Sequence, residues 1–99
     1  MEPLVGESLD DETGAITVRL WAAAKAAAGI GTLELQVPGP VFLSEVFARV
    51  LDGRPDRLAP VLAGCAVLVG EQPVTTRDPT EVVVRPGDTV EFLPPFAGG

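Results

Sequence analysis

The sequence predicts an α+β domain in which a mixed sheet carries one main helix across one face. Three stretches, 15–21, 32–38 and 89–93, alternate apolar and polar residues as half-buried strands do. A further stretch, beginning at Leu43, has its apolar residues at helical spacing instead. The chain has 99 residues and short connections, so these elements fit one domain around one core.

The first third of the chain predicts two strands with a short helix between them. In AITVRLW (15–21) the inward residues are Ile16, Val18 and Leu20, and Thr17, Arg19 and Trp21 point outward. In TLELQVP (32–38) the inward residues are Leu33, Leu35 and Val37. The alanine-rich segment AAAKAAAG (22–29) predicts a short helix that stops at Gly29.

The main helix follows a Pro-Gly-Pro break at 38–40. Its apolar stripe consists of Leu43, Val46, Phe47, Val50 and Leu51. Gly53 ends the helix, and the pattern leaves its N-cap open, with Ser44 the nearest candidate but one residue late. The following RPDRLAPVL (54–62) is compatible with another helical turn.

The last third predicts two more strands. CAVLVG (65–70) is almost entirely apolar, which favours a strand buried on both faces. GEQPV is a tight turn, and TTRDPTEVVVRPGD is extended chain between turns. In TVEFL (89–93), Val90 and Phe92 point inward while Glu91 and Leu93 point outward.

Charge divides the chain into an acidic leader (1–14), a domain (15–93) and a tail (94–99). The net charge is −7, and the leader holds five acids and no base, so the remainder, with nine acids and seven bases, is only mildly acidic. Neither part has a basic stripe, which argues against a nucleic-acid partner.

The remaining composition predicts a cytoplasmic protein. No apolar run reaches the roughly 18 residues of a membrane span, because Lys25 interrupts the longest candidate. The N-terminal stretch lacks the basic and apolar regions of a secretory signal. The single cysteine, Cys65, excludes an internal disulfide.

Residues suited to catalysis are scarce. The sequence contains no histidine and no tyrosine, which removes the usual general base and metal ligand. Cys65 lies in an apolar strand without a neighbouring base. Asp10, Asp11 and Glu12 lack the spacing of a calcium loop. We therefore expect no active site, metal or bound cofactor on this chain.

Two features are not explained by a core alone. The first is apolar surface: alternation places Trp21 and Leu93 on the side of the sheet away from the helix, unless another segment covers them or the register is shifted by one residue. The second is the ending FLPPFAGG. Pro94 and Pro95 stiffen the departing chain, and the last residues are small enough to enter a narrow tunnel with a terminal carboxylate.

With these residues assembled, the chain resembles the small sulfur-carrier proteins of the MoaD/ThiS group, most closely the small subunit of molybdopterin synthase. PGDTVEFLPPFAGG is similar to the family's ending, VRLWAAAKAAAG to its first strand and short helix, and VLVGEQPV to its turn. The resemblance covers about residues 15–99. It implies a ubiquitin-like β-grasp fold with a mixed four- to five-stranded sheet. Gly70 departs from it, standing where this turn usually has Asn, and Phe42 stands where the main helix often has a capping Thr.

The resemblance implies a non-catalytic carrier whose Gly99 is adenylated by an E1-like enzyme with ATP and becomes a thiocarboxylate (1-thioglycine). The large subunit of molybdopterin synthase would be the partner, with a heterotetramer left open. The residues that would insert are Pro94, Pro95, Phe96, Ala97 and Gly98. The residues that would contact partners are Trp21, Pro73, Leu93 and Lys25, the last being equally compatible with a plain solvated charge.

Other functions stay open at this point. Related carriers serve thiamine, cysteine or specialised sulfur metabolites. A ubiquitin-like modifier would instead join Gly99 to a target lysine, and a binding domain with an idle terminus is the third alternative.

Overall fold

The computed structural model describes residues 14–74 and 78–95. The acidic leader up to residue 13 and the tail residues Phe96, Ala97, Gly98 and Gly99 lie outside the described residues, so the predictions made for them are not tested by the fold. The predicted strands and helices fall almost entirely inside the described ranges.

The described part of the chain contains seven strands, three α-helices and one 3₁₀ turn. The strands are β1 (Gly14–Leu20), β2 (Thr32–Val37), β3 (Val41–Phe42), β4 (Ala66–Val69), β5 (Gln72–Pro73), β6 (Val83–Val84) and β7 (Thr89–Leu93). The helices are α1 (Ala22–Ala28), α2 (Leu43–Leu51) and α3 (Leu58–Ala63), and the 3₁₀ turn is Pro79–Glu81.

Five strands form one mixed sheet in the order β2-β1-β7-β4-β5, and β3 and β6 form a separate two-stranded sheet. The strands β1 and β2 are antiparallel, β1 and β7 are parallel, and β4 is antiparallel to both β7 and β5. The first and last strands therefore lie side by side in the centre of the sheet. This is the mixed sheet that the alternating segments predicted.

One face of the sheet and the helices share a single core. From the strands it takes Ile16, Val18, Leu20, Leu35, Val37, Val84, Val90 and Phe92, all buried. From the helices it takes Ala24, Ala27, Leu43, Val46, Val50, Leu58 and Leu62. The ring of Phe47 meets that of Phe92 edge-on, with centroids 5.1 Å apart, which ties α2 to the central strand. The alternation predicted for β1, β2 and β7 is confirmed.

None of the three described α-helices has a side-chain N-cap bond. Gly29 ends α1 in the left-handed conformation, with φ of 80°, and its backbone N–H donates to the Lys25 carbonyl. The N-cap of α2 is Phe42, which makes no capping side-chain bond. Instead the Leu43 backbone N–H donates to the Val82 carbonyl at 2.7 Å, so another part of the chain satisfies this donor. Ser44 is not the cap.

Two predictions for the second half are wrong. The strand β4 is not buried on both faces, because every one of its residues is only half-buried. The helices cover one side of the sheet, and the other side of β4 stays accessible. The stretch 75–88 is also more than extended chain, since it contains the 3₁₀ turn and β6.

Candidate functional site

The sheet face that none of the described helices covers carries three of the four predicted partner residues, Trp21, Pro73 and Leu93. Register places them next to one another: Leu68 is opposite both Glu91 and Pro73, Ala66 is opposite Leu93, and Arg19 is beside Glu91. Because paired residues share a face, their side chains form one surface across β1, β7, β4 and β5. We call this surface the open face; it consists of Arg19, Trp21, Leu68, Pro73, Glu91 and Leu93.

Trp21 lies at the end of the open face where β1 finishes. Its backbone N–H donates to the Phe92 carbonyl at 3.1 Å, which extends the parallel pairing one residue beyond β1. The next residue, Ala22, has φ of +50°, a left-handed conformation that turns the chain away into α1. The indole thereby stays on the outer side of the sheet and is 38% exposed. The outward direction predicted for Trp21 is confirmed.

Two polar groups hold the indole of Trp21. Its Nε1–H donates to Oε1 of Glu91 at 3.0 Å. The guanidinium carbon of Arg19 lies 5.0 Å from the ring centroid, within cation–π range. An aromatic side chain that is fixed before binding loses less conformational entropy when a partner covers it. The open face therefore presents its largest apolar group already oriented.

The other end of the open face is built by the β4–β5 hairpin. Pro73 is exposed, and Leu68 and Leu93 are half-buried. The Val74 backbone N–H donates to the Val67 carbonyl at 2.9 Å, so the pairing that holds Pro73 in place continues past β5. Trp21, Pro73 and Leu93, which the sequence proposed as partner residues, thus lie on one surface.

Lys25 belongs to a different region. It is exposed on α1, and its aliphatic stem lies against Gly31, where an added Cβ would be 3.2 Å from the lysine Cε. Gly31 begins the return into β2, at the end of the sheet where β7 also finishes. The structure therefore places Lys25 near that end rather than on the open face.

The tail leaves from the same end. β7 runs to Leu93, and Pro94 and Pro95 follow with exposed side chains. Neither proline has an N–H to continue a strand, which accounts for the end of pairing at Leu93. The reactive group expected at Gly99 lies outside the described residues.

Within residues 14–74 and 78–95, other catalytic chemistry is not assembled. No group of three His, Cys, Asp or Glu side chains there could hold a metal ion. Cys65 donates through Sγ to the Val61 carbonyl at 3.3 Å, and burial raises the pKa of its thiol, which disfavours the nucleophilic thiolate. None of the helices in this part of the chain has the length and hydropathy to cross a bilayer.

Sequence reasoning missed Leu68 as a surface residue and missed the roles of Arg19 and Glu91. Leu68 was assigned to a strand buried on both faces. The tight turn GEQPV contained a usable signal, because a hairpin closed there pairs Leu68 with the exposed Pro73. The indole contacts of Arg19 and Glu91 depend on parallel pairing of the first and last strands, which single-strand periodicity does not reveal.

Comparison with known proteins gives one consistent result. The model of the ThiS family matches residues 18–99. A molybdopterin synthase sulfur carrier subunit from Aspergillus niger is 28% identical over 83 residues, which cover 84% of this chain and 94% of that protein.

Solved structures agree with the fold. Small archaeal modifier protein 1 from Methanosarcina acetivorans has a TM-score of 0.69 at 20% identity, covering 89% of this chain and 99% of that one. A complex of subunits 1 and 2 of molybdopterin-converting factor from Helicobacter pylori contains a chain with a TM-score of 0.60 at 20% identity. That match covers 86% of this chain and 99% of the other. The predicted ubiquitin-like β-grasp fold is confirmed.

Proposed function

The chain belongs to the ThiS family, and from this premise we propose that it is a sulfur carrier serving as the small subunit of molybdopterin synthase. One observation carries the proposal. The family match spans 18–99 and so includes both the open face and the ending PGDTVEFLPPFAGG. The surface that would receive a partner and the group that would carry sulfur therefore belong to one family pattern.

The chemistry proposed for Gly99 begins with activation of its carboxylate. A carboxylate resists nucleophiles, so an E1-like enzyme first joins it to ATP: a carboxylate oxygen attacks the α-phosphorus and pyrophosphate leaves. Hydrosulfide then attacks the acyl carbon of the adenylate and displaces AMP, and its sulfur stays on the carbonyl carbon. The product is a C-terminal thiocarboxylate. This chain contributes the acyl group and no catalytic residue or bound cofactor of its own.

The composition of the tail suits delivery into another protein's active site. Pro94 and Pro95 favour an extended path and cannot pair as strand residues. Ala97, Gly98 and Gly99 carry almost no side-chain bulk, so the backbone can approach a partner's catalytic groups closely. Phe96 would enter with them.

The proposed recipient of the sulfur is the large subunit of molybdopterin synthase. Two of the similar proteins support molybdopterin synthesis over the other sulfur pathways: a molybdopterin synthase sulfur carrier subunit and a complex of two molybdopterin-converting subunits. In this proposal the open face docks on the large subunit, Lys25 contributes a cation near the base of the tail, and the complex forms in the cytoplasm. Two copies of each subunit in a heterotetramer are part of the proposal.

Intact-protein mass spectrometry tests the carrier role. The purified chain is incubated with an E1-like activating enzyme, ATP and a sulfide source. We expect the mass increase of one oxygen replaced by sulfur, and no increase in a chain lacking Gly99. Adding the large subunit and its pterin substrate should return the mass to that of the carboxylate. Conjugates to other proteins in place of the mass increase would favour a protein modifier.

A further inference from the structure

A single carboxylate, that of Glu91, lies in the middle of the open face. Its strand, β7, is the central one of five, and its neighbours across the sheet are Arg19 on β1 and Leu68 on β4. Leu93 follows two residues later on the same side. Glu91 itself is half-buried. An ionisable group is thus surrounded by the side chains that a protein partner would cover.

Among the described residues, the Glu91 carboxylate has a neutral hydrogen-bond donor and no cationic partner. The indole Nε1–H of Trp21 donates to Oε1 at 3.0 Å. No cationic nitrogen of the described residues lies within ion-pair distance of this carboxylate. The nearest candidate, Arg19, has its guanidinium over the Trp21 ring. Glu91 is half-buried, so part of its side chain is accessible to water in the free chain.

Covering the open face would remove that water. An ionised carboxylate taken out of water without a partner is strongly unfavourable, and one neutral indole N–H does not offset the loss. Shape and apolar contact alone would therefore make Glu91 an obstacle to binding. A partner that binds this face well must bring a cation to it.

We propose that the protein that covers the open face presents an arginine side chain to Glu91, at the centre of an otherwise apolar contact; this inference rests on the proposed function. Arginine fits better than lysine because its planar guanidinium can meet both carboxylate oxygens while Trp21 keeps its bond to Oε1. Glu91 then serves as a specificity determinant. It admits partners with a matching cation and rejects apolar surfaces that lack one.

Arg19 is the rival counter-ion. It is the Cα partner of Glu91, and leaving the Trp21 ring would let it neutralise the carboxylate without help from another protein. A partner's arginine and Arg19, as counter-ions of Glu91, predict different effects of substitution on partner binding. If a partner's arginine is the counter-ion, loss of the Glu91 charge weakens binding far more than loss of Arg19, and the two losses add. If Arg19 is the counter-ion, the two losses are similar and depend on each other.

The test measures binding of the full chain to the purified large subunit of molybdopterin synthase from the same organism. Kd and the dissociation rate are compared for the unmodified chain, Glu91→Gln, Arg19→Gln and the double variant. Glu91→Gln keeps an oxygen for the Trp21 N–H and removes only the charge. Glu45→Gln is the matched control, because Glu45 is an exposed carboxylate on α2, which packs on the opposite side of the sheet.

We expect Glu91→Gln to weaken binding about tenfold or more, mainly through faster dissociation, as for loss of one member of a buried charge pair. Glu45→Gln should stay within about twofold, because a solvated charge away from the contact is screened. Arg19→Gln should weaken binding clearly less than Glu91→Gln, since it removes only the cation over the Trp21 ring. Circular dichroism of each variant confirms that it is folded.

Unchanged or tighter binding by Glu91→Gln would overturn the inference and leave the proposed function standing. Equal losses in both single variants with recovery in the double variant would assign the counter-ion to Arg19, which also overturns it. If the unmodified chain does not bind the large subunit, both the proposed function and this inference are wrong. That measurement is made before any variant is tested.

Discussion

Ala22 is the first residue of α1 and follows Trp21 directly after β1. Its φ of +50° lies in the left-handed region, which costs a residue with a Cβ roughly 1–2 kcal/mol. The conformation persists because both sides are fixed: the Trp21 N–H bonds Phe92, and Ala24 is buried in the core. One alanine thus holds the turn that keeps the indole on the outer surface.

Replacing Ala22 by glycine should remove this strain. The gain offsets the extra freedom of glycine in the unfolded chain, so we expect the free energy of unfolding to stay within about 0.5 kcal/mol of the parent or to rise. Ala26→Gly is the matched control, at an exposed position inside the same helix, and should lose about 1 kcal/mol. Urea unfolding followed by the fluorescence of the single tryptophan measures both. Equal losses would show that Ala22 is an ordinary helical residue.

At the scale of elements, the β4–β5 hairpin positions Pro73 on the open face through a two-residue loop, Gly70-Glu71. Gly70 has φ of +63°, and its N–H donates to the Thr89 carbonyl at 2.7 Å, which anchors the loop to β7. Nothing lies within 4 Å of a Cβ added at Gly70. A substitution there tests backbone conformation without a steric clash.

We expect Gly70→Val to lower the free energy of unfolding by about 2 kcal/mol, because a β-branched residue is strained at positive φ. Gly70→Asn should lose less than about 1 kcal/mol, since asparagine tolerates that region best among residues with side chains. Urea denaturation compares the two. Equal losses of unfolding free energy would indicate that any side chain at position 70 is destabilising, whatever its tolerance of positive φ.

Elements with strong periodicity could be predicted, and those fixed by distant pairing could not. β7 was predicted with the bounds it has, because Val90 and Phe92 alternate cleanly with Glu91 and Leu93. β4 was misjudged because an apolar run cannot show whether its second face is covered by helices or left for a partner. β6 has two residues, and only its pairing with β3 makes it a strand.

The candidate site, too, could be predicted only in part from the sequence. The outward directions of Trp21 and Leu93 followed from alternation within each strand. Their adjacency, and the bond from Trp21 to Glu91, required the parallel β1–β7 pair, whose members are about 70 residues apart in the sequence. The FLPPFAGG ending predicts an insertable tail, and this stays a prediction because residues 96–99 lie outside the described ranges.

The molecule as a whole separates stability from recognition. The helices and the inner sheet face build the core. In the proposed function, the outer face and the tail are the parts that contact other proteins. The buried hydrophobic residues of the described ranges all lie between Ile16 and Phe92. We therefore expect changes beyond Leu93, where β7 ends, to affect transfer rather than folding.

Deleting Gly98 and Gly99 tests this separation. We expect the urea midpoint to be unchanged, because the truncated chain keeps every buried hydrophobic residue of the described ranges. We expect sulfur loading to be abolished, because the chain no longer ends in Gly99. Phe92→Ala is the contrasting variant: it empties a fully buried site that contacts Phe47 and should cost about 3–5 kcal/mol. A large drop in the midpoint on truncation would mean that the tail packs against the domain, and the protein could then not release it into a partner without losing stability.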